Sequence, residues 1–97
     1  MAIDIIEKIP DSEKTPAMKY CAALSYMEVN EFKRARDLWQ QLEEVDDIVW
    51  QERSKWFLAL CYLQAEDKNQ AIGYLKEVSS IGGEYGEKAE KLFAKVQ

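Results

Sequence analysis

Apolar positions along this chain recur at intervals of three and four, the spacing of one helix face. Phe32, Ala35, Leu38, Trp39, Leu42 and Val45 predict a helix over about 31–44. Ala17, Tyr20, Cys21, Ala23, Leu24, Tyr26 and Met27 predict another over about 16–29. This second set is wider than one stripe, so that helix should meet neighbours on two sides. The pattern then returns. Ala35 and Trp39 are answered by Ala71 and Leu75, and Tyr20, Leu24 and Tyr26 by Trp56, Leu60 and Tyr62, an offset of 71 − 35 = 36 residues. A fixed period of this size marks stacked supersecondary units. It predicts helices over about 48–65 and 67–79, and a last one over about 84–96 in which Leu92 and Val96 repeat Trp56 and Leu60. Backwards, the same offset carries Trp39, Leu42 and Val45 onto Ile3, Ile6 and Ile9, so residues 3–10 read as the remnant of an earlier unit's second helix, or a cap.

The punctuation agrees with these spans. Thr15-Pro16 is a helix start, with a capping hydroxyl and a proline whose missing N–H costs nothing at the first helical position. Asn30 suits the left-handed residue that closes a helix. Asp46 or Asp47 can cap the third helix, and Asp67-Lys68 opens the fourth. Ser79 to Gly83 is the next break. The turns are short, which forces successive helices antiparallel. The expected architecture is therefore all-α: one domain over 1–97 with five to six helices, units at 16–45 and 48–81, and a capping helix at 84–97. The charged residues of that last stretch, Glu84, Glu87, Lys88, Glu90, Lys91 and Lys95, supply the polar outer face a terminal element needs.

Charge and composition then narrow the function. The net charge of −5 is uneven: residues 1–50 hold 11 acids against 6 bases, residues 51–97 hold 7 of each. An acidic balance argues against nucleic acid, whose phosphates require a basic face. Glu43, Glu44, Asp46 and Asp47 read first as a solvated helix end and turn, and second as an acidic handle for a basic partner. The chain has no histidine, which removes the commonest general base and transition-metal ligand. Cys21 and Cys61 have no metal-binding spacing and read as two small buried thiols. No nucleophile–base pairing or glycine-rich phosphate loop is visible. The expectation is a protein that is not an enzyme and takes no metal or cofactor. No apolar run is long enough to span a membrane, so a cytoplasmic setting without membrane insertion is expected.

The two full units resemble tetratricopeptide repeats, helix–turn–helix units of about 34 residues with small residues where the helices cross. Ala22-Ala23-x-x-Tyr26 and Leu58-Ala59-x-x-Tyr62 match the Leu-Gly-x-x-Tyr core of that family's first helix. Ala35 and Ala71 match the alanine that opens the second helix's packing face, and Trp39 and Leu75 the slot after it. Lys19 and Lys55 depart from the family, which often carries tryptophan there. The resemblance implies a right-handed superhelix whose concave face is lined by the first helix of each unit. Ala17, Tyr20, Leu24, Met27 and Glu28, then Arg53, Trp56, Leu60, Leu63 and Gln64, would project into it. The family's carboxylate clamp uses lysines and asparagines; the matching positions here, Tyr20, Leu24, Trp56 and Phe57, cannot serve it. What remains is an apolar groove for a peptide or an amphipathic helix of a protein partner, with Tyr20, Leu24, Met27, Arg53, Trp56, Leu60, Leu63 and Gln64 as its candidate residues. The competing expectation is self-assembly, in which the Ile3 face and this groove meet another copy.

Overall fold

The computed structural model describes residues 8–10 and 13–96, and among them five helices and no strand. The helix expected at residues 3–10 falls mainly outside the described residues. Helix α1 (Pro16–Glu28) begins where Thr15 Oγ1 accepts the Met18 N–H at 3.2 Å, with Pro16 in the first turn. Helix α2 (Phe32–Glu43) follows after a three-residue turn. Helix α3 (Ile48–Gln64) is capped by Asp47, not Asp46: its Oδ1 accepts the Val49 N–H at 2.9 Å. Helix α4 (Lys68–Ile81) is capped by Asp67 in the same manner. Helix α5 (Gly83–Val96) completes the array.

Both hairpins close in the same way. At the end of α1, Asn30 takes φ 64°, its N–H donates to Met27 O, and the Glu31 N–H donates to Tyr26 O. At the end of α3, Glu66 takes φ 62°, its N–H donates to Leu63 O, and the Asp67 N–H donates to Tyr62 O. This paired bonding satisfies helix carbonyls that would otherwise be orphaned. Asn30 was legible as a left-handed residue; Glu66 was not, because a glutamate carries no preference for that conformation.

Each helix packs on the next, antiparallel. Trp39 meets Phe57 while Arg36 meets Tyr62, and Ser79 meets Glu90 while Lys76 meets Phe93. Ala35, Trp39 and Leu42 on α2 are fully buried, as are Ala71, Leu75 and Val78 on α4, one period later. Ala23, facing α2 from α1, is equally buried, and small residues there let the helices approach closely. One core cluster joins α1, α2 and α3 around Trp39, Leu42, Leu58 and Cys61; a second joins α3, α4 and α5 around Ala59, Leu75, Val78 and Ala89. Each fully buried large side chain contributes about 1.5–3 kcal/mol. The described part measures 40 × 27 × 18 Å. Its shortest dimension is close to two helix diameters of about 10 Å each, so the array is two layers thick.

The two cysteines part company. Cys61 is buried, as expected, whereas Cys21 is exposed. The inward positions of α1 are Ala22, Ala23 and Tyr26, and Cys21 falls about 100° around the helix from Ala22, outside that face. Both thiols are free.

Candidate functional site

The odd-numbered helices share one side of the array, and an aromatic group assembles there. From α1, the Tyr20 ring meets Trp39 edge-on at 5.5 Å, Trp50 at 5.4 Å and Phe57 at 6.3 Å. Trp39 and Phe57 stack at 4.5 Å and 9°. From α5, Tyr85 approaches Trp56 at 6.2 Å and Phe57 at 6.4 Å, and its phenol comes near enough to that of Tyr20 to influence its proton equilibrium. Tyr20 and Tyr85 both meet the Phe57 ring, so the first and last helices of the described array converge on α3. Burial, and then the neighbouring Tyr85, push the Tyr20 phenol above its ordinary pKa. The Arg53 guanidinium caps the group, 5.5 Å from the Tyr20 ring centre and 5.6 Å from that of Trp50. Such ring pairs contribute about 0.5–1.5 kcal/mol each beyond the area they bury, and a partly exposed cation over a ring about 0.5–1 kcal/mol.

The expected groove residues therefore divide. Tyr20, Arg53 and Trp56 are half-buried in the aromatic group, packed on the chain's own rings. Leu24 and Met27 lie along α1 as half-buried residues against the first core cluster. Leu60 and Leu63 lie along α3, half-buried. Helices α1 and α3 both run antiparallel to α2 and so run parallel to each other. The Tyr20–Phe57 contact sets their register, which brings these four leucine and methionine side chains to one level, further along than the aromatic group. Gln64 separates from them. It is exposed and lines a cleft of about 110 Å³ with Phe32, Arg36 and Cys61, on the side of α3 that faces α2.

Sequence reasoning missed Trp50 and Tyr85 as members of this site. Trp50 lies in a first turn of α3 that has no counterpart in α1, and Tyr85 is one period after Val49, so the repeat carries no aromatic into either position. Their aromaticity was the sole signal available.

Two further groups have shifted proton equilibria. Burial pushes the Cys61 thiol up to about 11, with Arg36 opposing weakly, so it remains protonated at neutral pH. Burial, then the neighbouring Glu43 carboxylate, push the Tyr74 phenol well above its ordinary range. Among the described residues, no group of three or more potential ligands could hold a metal ion, and no helix is long and apolar enough to cross a membrane.

These features define an all-α protein of stacked antiparallel helical hairpins. No protein-family model matches the chain, and neither comparison with curated proteins nor comparison with solved structures yields a match.

Proposed function

We propose that the chain is a protein-interaction module built from tetratricopeptide-like hairpins, on its own or within a longer array. Its ligand is an apolar peptide or amphipathic helix of another protein, laid along α1 and α3. The observation that carries this reading is the row Leu24, Met27, Leu60 and Leu63, half-buried side chains at one level on two parallel helices, beside an aromatic group that closes the row at one end. Apolar anchors of this kind take the alternate contacts of a docked helix. Tyr20 and Trp56 act as the wall of the site rather than as its free anchors.

The test is selection of binding peptides from a random displayed library, followed by titration of the selected peptides. Peptides with apolar residues at helical spacing should emerge, and Leu60→Asp with Leu63→Asp should weaken their binding about tenfold or more, at unchanged helical content. Selected peptides without apolar spacing, or equal binding by the double variant, would overturn the reading. A defined dimer in light scattering that is lost on Trp56→Glu would replace it with self-assembly.

A further inference from the structure

The extra turn at the start of α3 presents a second surface. Aligned by the repeat, Pro16 of α1 corresponds to Glu52, so residues 48–51 precede anything α1 contains. Two of the four hold the turn in place. Trp50 packs edge-on against Tyr20, and Gln51 Nε2 donates to Val45 O at 2.9 Å. The other two face solvent: Ile48 is 58% exposed and Val49 47% exposed. No core contact accounts for an isoleucine and a valine in water side by side on an anchored turn.

Their surroundings are acidic. Glu44 and Asp46 are exposed immediately before them, Asp47 caps the turn itself, and Glu52 follows one turn later. Three cations further along α3 and on α5 are held by other groups. Lys55 pairs with Glu77 at 3.3 Å, Arg53 lies over Tyr20 and Trp50, and Lys88 lies over Tyr85 and pairs with Glu84 at 3.6 Å.

We propose that Ile48 and Val49, with Glu44 and Asp46, form a docking surface for a basic amphipathic segment of a partner protein. The segment's apolar side chains cover the two aliphatics, and its lysines or arginines meet the carboxylates. Charge selects this occupant. Phosphate backbones and anionic lipid surfaces are repelled, and a second copy would bring acid against acid. The surface is pre-organised, because Trp50 and Gln51 already fix its backbone. It is separate from the Leu24–Leu63 row, so each can fail without the other.

The experiment is an NMR titration of the whole chain with a synthetic amphipathic peptide built only of leucine and lysine. Saturable shifts should centre on residues 44–50 and weaken as ionic strength rises. Glu44→Lys with Asp46→Lys should reduce affinity about tenfold, and Ile48→Ser with Val49→Ser by a similar factor. All four positions are exposed, so these variants keep their helical content; Asp47 is left alone because it caps α3. A peptide of leucine and glutamate should not bind. Shifts confined to Leu24, Met27, Leu60 and Leu63, unchanged affinity in either double variant, equal binding of the glutamate peptide, or saturable binding of phosphatidylserine vesicles would each overturn the proposal.

Discussion

Cys61 ties packing to pH through a single atom. Its thiol sits between α2 and α3 with almost no exposure, and its pKa rises from the ordinary 9.0 to about 11. A folded-state value above the unfolded one means that the neutral form is favoured by the fold. The stabilisation is complete below pH 9, where both states hold the proton. It is lost between about pH 9 and 11, where the unfolded chain ionises first. A rise of this size corresponds to about 2–3 kcal/mol. Urea unfolding at steps from pH 8 to 11 should show stability falling over this window, and Cys61→Ala should remove most of that slope. An unchanged slope in the variant would assign the loss to the tyrosines, since Tyr20 and Tyr74 are shifted in the same direction. The burial of Cys61 was legible in the sequence and the exposure of Cys21 was not. Both stand in apolar stretches of the first helix of a unit, one helical turn apart in the repeat, and only the way each helix is turned toward its neighbours separates their exposure.

At the scale of the element, the helices follow from their sequence because each carries its own period, cap and stop. The weak point is the second hairpin turn. Glu66 holds a left-handed conformation that costs an ordinary L-residue about 1 kcal/mol, where the first hairpin uses the tolerant Asn30. Glu66→Gly should therefore stabilise the protein by about 0.5–1 kcal/mol, read as a higher urea midpoint, whereas Asn30→Gly should change little. A destabilised Glu66→Gly would mean that the glutamate side chain makes a contact worth more than the strain. The helix ends themselves lie within a residue or two of the expected positions. The largest difference is α4, which runs on to Ile81 because the glycines that stop it stand at 82 and 83, both with positive φ.

At the scale of the whole molecule, the described residues form two core clusters that share α3, and they are unequal. The first holds fully buried Trp39, Leu42 and Leu58; α5 enters the second with only Gly86 and Ala89 fully buried, while Leu92, Phe93 and Val96 stay half-exposed. In a stacked array, stability is the sum of each element and its nearest-neighbour interfaces. Native-state hydrogen exchange should therefore find α5 amides opening at lower free energy than those of α2 and α3. One common free energy for all five described helices would show instead that the Tyr20–Phe57–Tyr85 ring contacts couple the ends into a single cooperative unit.

The sequence by itself determined the helices, their antiparallel order and the buried faces of α2 and α4. These depend on local spacing, capping chemistry and short turns, all of which act within one period. It also determined that Tyr20, Leu24, Met27, Trp56, Leu60 and Leu63 belong to the first helix of each unit. Tertiary structure alone decided which of them remain open. Tyr20 and Trp56 are enclosed by Trp50, Phe57 and Tyr85, three rings brought from α3 and α5 by the way the helices lean on one another. The physical reason is distance along the chain: Tyr20 and Tyr85 are 65 positions apart, and no local pattern records a meeting that depends on the rotation and tilt of every helix between them.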